Sequence, residues 1–358
     1  MDQQPSRREL FLAGAAALGA AAASRVTRGD ERDRVLAELL AQNRANHPIY
    51  GGGLANHLSM ELCALHALGA SAERLRAFAA GYGKRLERFP KSGPPVAKSD
   101  WRARLGQAEA LPGFVDFFQA ELREQGREAG LRALLPAFAP SLASELFHGL
   151  IRSAYALRFG DEAELAHGLA YWAIKPMSLG ALEHAKGGER DFAALLARVR
   201  ATPALAGAKL TGDSNPDRMR QAAALEGFAG IAGALTVEED TLERIARTVL
   251  ALYASTRSFT ALHALTATHA LRILLPCFPE RELVLRYHAQ GLLAAYVRMG
   301  APAFETSFPA EAPAWEAIVG KALASEDDHD AKLVYACRDE QSVHGGELYR
   351  LAAARRVG

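Results

Sequence analysis

Apolar residues recur every three to four positions along almost the whole chain, with polar residues between them. The segments "RVLAELLAQN", "LERIARTVLALYAST" and "VLRYHAQGLLAAYVRM" show this pattern. The spacing places apolar side chains on one face of a helix, and the abundant Ala and Leu are strong helix formers. No alternating run of β-branched residues is long enough for a strand. The pattern therefore predicts an all-α protein.

Turn-forming residues separate the helical segments. Clusters rich in Gly, Pro, Ser and Asn are typical of loops, and they occur at 51–53, 89–95, 175–180, 211–217 and 300–313. None has the composition of a flexible linker, and no fixed period with recurring residues indicates a solenoid. We therefore expect a single large helical domain over residues 26–358.

The amino-acid composition limits the kinds of binding partner that we expect for this protein. Of 358 residues, 49% are hydrophobic and 23% are charged, which is an ordinary globular balance. With 42 basic and 41 acidic residues, the formal net charge is +1. Proteins that bind nucleic acid or an anionic membrane usually carry a basic surplus, so neither is an expected partner.

The first 25 residues differ from the rest of the chain. Arg7 and Arg8 are followed by a mildly apolar, Ala-rich run from Leu10 to Ala23. This arrangement is typical of a twin-arginine export signal, and the run is too short for a stable membrane span. We expect a signal peptide over 1–25, contact with the twin-arginine export machinery, and a periplasmic or secreted mature protein. A plain Ala-rich extension is the alternative.

Four histidines and one lysine stand out because they lie on separate apolar, helix-like segments: His57, His148, His263, and His329 with Lys332. A buried imidazole costs free energy unless it is hydrogen-bonded or bound to something. If these residues converge, they form a metal site in a central cavity, because neutral imidazole is the commonest metal ligand in proteins. A histidine taken singly is more often a hydrogen-bonded core residue, so both interpretations stay open.

Lys332 follows His329 by three residues and so shares its helix face. A lysine near a cation and imidazoles has a depressed pKa, and its neutral amine can capture carbon dioxide as a carbamate. That product offers an anionic oxygen to a hard metal. A surface turn of mixed charges is the alternative for this segment, which also contains Asp327 and Asp328.

Several familiar kinds of site are excluded. The chain has no G-x-G-x-x-G nucleotide motif, P-loop, H-E-x-x-H or G-x-S-x-G. It also lacks the C-x-x-C-H of haem attachment. Cys63, Cys277 and Cys337 lie far apart on apolar stretches, and we interpret them as small buried hydrophobic residues.

Taken together, the histidine segments resemble the questin oxidase-like family. The matching stretches occur in order over about residues 35–345: "NHLSMELCALHALGAS", "FHGLIRSAYALRFG" with "ELAHGLAYWA", "LHALTATHALRILLP" and "DDHDAKLVYACRDE". The resemblance implies an oxygenase of the kind that oxidises aromatic polyketides, with Fe(2+) held by four histidines and a carboxylated lysine. The matching positions are His57, His148, His263, His329 and Lys332.

The resemblance also implies a flat phenolic or quinonoid substrate together with dioxygen. Tyr155, Tyr171 and Trp172 are candidate walls for such a ring, with core packing as the alternative. Asn56 and Arg152 are candidates for orienting ligands or polarising a carbonyl, and with Tyr155 they form the expected catalytic set.

Two other functions remain open. One is an NADPH-dependent, metal-free Baeyer–Villiger-type oxidase, the activity for which the family was first described. The other is a non-enzymatic helical protein that binds a metal or another ligand.

Overall fold

The computed structural model describes residues 31–182, 188–308 and 311–358. Within these residues the chain forms 17 α-helices, three short 3₁₀ turns and one small β-hairpin, which confirms the predicted helical class. The export signal predicted at 1–25 lies outside the described residues.

Most of the helices follow one another with short connections, and the longest stretch between two α-helices covers residues 84–110. In chain order they are α1 Glu31–Asn43, α2 Leu58–Leu68, α3 Ala72–Gly83, α4 Leu111–Gln125, α5 Arg127–Leu134, α6 Ser144–Phe159, α7 Glu162–Ile174, α8 Phe192–Ala201, α9 Pro203–Ala206, α10 Asn215–Ala223, α11 Phe228–Ala232, α12 Thr241–Thr256, α13 Phe259–Leu274, α14 Arg281–Arg298, α15 Trp315–Ala324, α16 Asp330–His344 and α17 Leu348–Val357.

One element departs from the all-helical expectation. Strand β1, Ile49–Tyr50, pairs antiparallel with β2, Leu54–Ala55. Residues Gly51, Gly52 and Gly53 join the strands with positive φ angles of 57°, 78° and 153°, which glycine adopts at little cost. The expectation of no strand was wrong here because two residues are too few to show an alternating pattern.

Four helices form a closed ring in the middle of the fold. Helix α2 packs against α6, α6 against α13, α13 against α16, and α16 returns to α2. Their facing residues are almost all buried, as expected for helices covered on several sides. Each helix of this ring carries one of the four predicted histidines on or next to its N-terminal part.

Two glycines allow α6 and α7 to approach closely. A Cβ on Gly149 would lie 2.6 Å from Cγ of Trp172, and a Cβ on Gly168 would lie 2.9 Å from Oγ of Ser153. Both distances are shorter than real carbon contacts, so the two backbones can meet this closely only where a side chain is absent.

The expected burial of the three cysteines is confirmed for two of them. Cys63 and Cys337 are buried and Cys277 is half-buried, and all three are free thiols. No helix in the described ranges combines the length and the apolar character needed to cross a bilayer.

Candidate metal centre

The ring of helices brings the four predicted histidines together. His57 and His329 are the N-cap residues of α2 and α16. The centroid of the His57 ring lies 4.7 Å from the ring centroid of His148 and 4.7 Å from that of His329. The centroid of the His263 ring lies 4.9 Å from that of His148 and 5.3 Å from that of His329. The imidazoles therefore form a closed cluster in the same order as their helices.

In each of these histidines, Nδ1 donates to an oxygen that can only accept. His57 Nδ1 lies 2.9 Å from a carboxylate oxygen of Asp328, and His329 Nδ1 lies 3.1 Å from the other. His263 Nδ1 lies 2.8 Å from the carbonyl oxygen of Phe259, and His148 Nδ1 bonds the carbonyl oxygen of Glu145. Because the proton of a neutral imidazole then sits on Nδ1, each Nε2 keeps its lone pair.

These lone pairs meet one another inside the cluster. The Nε2 atoms of His57 and His148 are only 2.7 Å apart, and the ligand atoms of His57, His148 and His263 lie within 4.8 Å of one another. The Nε2 atom of His329 is buried and has no hydrogen-bond partner among the described residues. Converging acceptors without donors repel one another, and a bound cation would relieve that repulsion, so the donor set fits a metal ion.

Burial keeps His57, His148 and His263 in the neutral form that binds metals. Burial, reinforced by the charge of Lys332, lowers the pKa of His148 to about 3. The same two causes hold the pKa of His57 well below its usual range. Burial and the neighbouring His148 also hold the pKa of His263 well below its usual range. These imidazoles therefore need not lose a proton before they bind a metal at neutral pH.

Lys332 lies within the fold beside this cluster, as the predicted role requires. Its side chain is 3% exposed, and burial lowers the pKa of its amine while the carboxylates of Asp328 and Glu61 raise it. The surface-turn alternative for this segment is therefore wrong for Lys332. The balance leaves an amine that loses its proton more readily than a solvated lysine does.

Two backbone segments at the cluster are held in unfavourable conformations. Glu145, Leu146 and Phe147 have φ angles of 49°, 56° and 72° at the start of α6, directly before His148. Arg257, with φ of 49°, precedes α13. Left-handed conformations of residues with side chains cost of order 1–3 kcal/mol each and concentrate at functional sites. At α6 the turn aims the carbonyl of Glu145 at His148.

The expected catalytic residues lie around the cluster rather than in it. Asn56 donates to Asn43 Oδ1 at 3.0 Å and accepts from the amide of Leu58 at 3.0 Å, so it holds the turn that delivers His57. Arg152 is 1% exposed and pairs with Glu164 at 2.8 Å, joining α6 to α7. A direct catalytic role for either residue stays a prediction.

The expected aromatic walls are core residues in this fold. Tyr155, Tyr171 and Trp172 are each at most 2% exposed. Tyr155 donates to the carbonyl oxygen of Lys332 at 3.5 Å and packs on Tyr335. Trp172 donates to the carbonyl oxygen of Ser141 at 2.8 Å.

Three residues at the cluster were missed in the sequence. Asp328 holds two of the histidines, Glu61 contacts the start of α16, and Phe259 is 49% exposed with its ring 4.4 Å from that of His263 and 5.1 Å from that of His329. Glu61 carries a weak signal, since it is a carboxylate one turn after His57 on an apolar helix. Phe259 carries none, because its exposure depends on the fold.

A second group of possible ligands is already neutralised by an arginine. His269 of α13 lies 3.1 Å from a carboxylate oxygen of Asp339. Arg272 pairs with both Asp339 and Glu340. Since the guanidinium supplies the positive charge, this network joins α13 to α16 without a metal.

A concavity beside α12 is also separate from the cluster. It has a volume of about 290 Å³ and is lined by residues that include Arg247, Phe304 and Tyr349. None of the predicted site residues lines it.

Comparison with known proteins gives one clear result. The profile of the questin oxidase-like family matches residues 54–337, which is most of the chain and includes all four histidines and Lys332. A search of curated individual proteins finds no match. The chain therefore belongs to the questin oxidase-like family, which implies that it is an oxidoreductase.

Proposed function

We propose that this protein is a non-haem iron oxygenase that acts on a small aromatic or quinonoid substrate with dioxygen. The observation that carries the proposal is the cluster of four imidazole rings, in which the ligand atoms of His57, His148 and His263 lie within 4.8 Å of one another and the Nε2 atoms of His57 and His148 are 2.7 Å apart. Family membership supports an oxidase or oxygenase, and the donor set supports a metal-dependent one.

Fe(2+) suits this set of donors. Imidazole and carboxylate-type oxygen are its usual protein ligands, and five protein ligands leave a coordination position open. When bound, iron supplies the electron transfer that dioxygen needs to react with an organic substrate. We assign the ligands as His57, His148, His263, His329 and a carboxylated Lys332.

Carboxylation turns Lys332 from a cation into a ligand. The neutral amine nitrogen bonds to the carbon of carbon dioxide, one C=O bond becomes the carbamate C–O⁻, and one proton is released. An ammonium has donors only and cannot bind a metal. Burial favours the neutral amine, and the carbamate would bring the negative charge that a buried cation requires.

Phe259 supports an aromatic substrate. Its ring packs against His263 and His329 on one side, while about half of its surface remains exposed to solvent. An exposed aromatic ring beside a metal centre offers a face on which a flat ring can stack. We therefore place substrate entry at the N-terminal end of α13.

The deciding experiment is metal analysis of the anaerobically purified protein, followed by oxygen uptake with a panel of phenols and quinones. We expect about one iron per chain, and uptake that is lost after chelation and restored by Fe(2+) but not by NADPH. Oxygen uptake by fully metal-free protein with NADPH would instead establish the Baeyer–Villiger-type alternative. Metal binding without any turnover across the panel would favour the non-enzymatic alternative.

A further inference from the structure

The segment before helix α16 provides an acceptor for only the first helical amide, that of Asp330, which donates to the carbonyl oxygen of Asp327 at 3.3 Å. Its N-cap residue is His329, whose side chain makes no capping hydrogen bond. The first amides of a helix lack partners within the helix and need an acceptor from elsewhere. At α16 this matters for the metal centre, because His329 precedes the helix and Lys332 lies in its first turn.

Glu61 supplies the missing acceptor from a distant part of the chain. Its Oε1 accepts from the amide of Ala331 and its Oε2 from the amide of Lys332, both at 3.2 Å. The side chain is 1% exposed. A carboxylate at a helix N-terminus is favoured by both the hydrogen bonds and the helix dipole.

The same residue is tied to His57. The amide of Glu61 donates to the carbonyl oxygen of His57 at 3.0 Å, across the first turn of α2. One carboxylate therefore links the turn that carries His57 to the turn that carries His329 and Lys332. Both of its oxygens accept from amides, and Glu61 belongs to none of the groups of converging ligand atoms found among the described residues, so its geometry is that of a positioning residue.

We propose that Glu61 is a positioning residue that holds the first turn of α16 in register with α2 and so brings His329 and Lys332 to the other histidines. The effect on metal binding rests on the proposed function, whereas the capping of α16 does not. Removing the carboxylate frees the turn, and ligands displaced by even a fraction of an ångström bind a metal less well.

The test uses Glu61→Gln in the full chain, with Glu121→Gln as the matched control. Gln keeps the size of Glu61 but directs an NH₂ group at one of the two amides, so it can accept only one hydrogen bond. Glu121 is also a buried carboxylate, 6% exposed, but it lies on α4 and pairs with Lys98 at 3.0 Å.

The first measurement is amide hydrogen exchange of the metal-free proteins. We expect one of the two amides, that of Ala331 or that of Lys332, to exchange about tenfold faster in Glu61→Gln, because its protecting hydrogen bond is lost. Exchange at these amides should be unchanged in Glu121→Gln. Equal protection in Glu61→Gln and the wild type would overturn the proposal.

The second measurement is Fe(2+) and Co(2+) affinity by anaerobic equilibrium dialysis. We expect Glu61→Gln to bind each ion roughly 10–100-fold more weakly, with the stoichiometry recovered at high metal concentration. Unchanged affinity alongside faster exchange would limit Glu61 to capping and overturn its positioning role. If the wild type binds neither ion, the proposed function fails, and the exchange measurement still decides whether Glu61 caps α16.

Discussion

At the scale of single residues, the two ring nitrogens of each histidine in the cluster have different roles. Its Nδ1 is held by a fixed oxygen, and its Nε2 is left for a ligand. Asp328 accepts from Nδ1 of both His57 and His329. Burial alone would raise the pKa of its carboxyl group, but the hydrogen bonds from His329 and His57 lower that pKa strongly. The arrangement fixes both tautomer and ring orientation before a metal binds.

His148→Ala should remove most bound metal and leave the helix content intact, because it deletes one of the converging nitrogens. His167→Ala is the matched control. Both histidines are 8% exposed, but His167 packs on Phe89 outside the cluster. Metal content by elemental analysis and circular dichroism distinguish the two variants. Full metal occupancy in His148→Ala would contradict its assignment as a ligand.

Asp328→Asn should weaken metal binding by roughly 10–100-fold, as other outer-shell changes do. His329 Nδ1 also lies 3.1 Å from a carboxylate oxygen of Asp327, so the variant mainly affects His57, whose Nδ1 then meets an amide group instead of a carboxylate. Competition with a chromophoric chelator measures the affinity directly. An affinity equal to that of the wild type would show that the carboxylate of Asp328 is not needed to orient His57.

At the scale of helices, close packing between neighbouring helices determines where the proposed ligands lie. Helix α6 starts in a left-handed turn and then presses Gly149, the neighbour of His148, against Trp172 of α7. The strain of the turn persists because the helix after it is held on both sides, by α7 and by α13. The position of His148 therefore depends on helix packing as well as on its own side chain.

Gly149→Ala should lower the free energy of unfolding by about 1–3 kcal/mol, because its new methyl group overlaps Trp172, and it should also weaken metal binding. Gly81→Ala in α3 is the control. Its Cβ meets nothing within 4 Å, and the change should stabilise the protein by about 0.5–1 kcal/mol. Urea unfolding measures both. If the two variants shift stability in the same direction, the packing argument is wrong.

At the scale of the whole molecule, the fold buries several histidines in neutral form. Burial lowers the pKa of His288 to about 3 and also lowers the pKa values of His57, His148 and His263. In the unfolded chain a histidine titrates near 6.5. Between these values the unfolded state binds more protons than the native state, so stability falls as the pH falls through this range.

His288→Gln should make the metal-free protein less sensitive to acid. Each such histidine contributes up to about 1.4 kcal/mol per pH unit to the loss of stability below pH 6.5. Removing His288 should reduce the slope of unfolding free energy against pH by about that amount between pH 6 and 4. Urea unfolding at several pH values gives the slope. An identical slope in variant and wild type would mean that His288 is protonated in the native state.

The location of the whole protein in the cell is the subject of a further proposal. We propose that Arg7 and Arg8 direct it to the twin-arginine pathway. Changing both to Lys should leave the precursor inside the cell, which fractionation and immunoblotting can detect. Undiminished export of the double variant would point to another route.

The sequence by itself determined the helical class, the positions of most breaks and the residues that form the cluster. These follow from local spacing, because an apolar period of 3.6 residues and a histidine within it are visible in a short window. The family resemblance added the order of the segments. The hairpin at 49–55 was missed because its strands are only two residues long.

Only the tertiary structure decided how the cluster is held. His57 and Asp328 are 271 positions apart, and Glu61 meets Lys332 across a similar separation. The backbone oxygens that bind His148 and His263 come from their own helices, but their direction depends on a strained turn and on helix packing. Tautomer, orientation and burial are properties of three-dimensional neighbours, and no local pattern encodes which neighbours will meet.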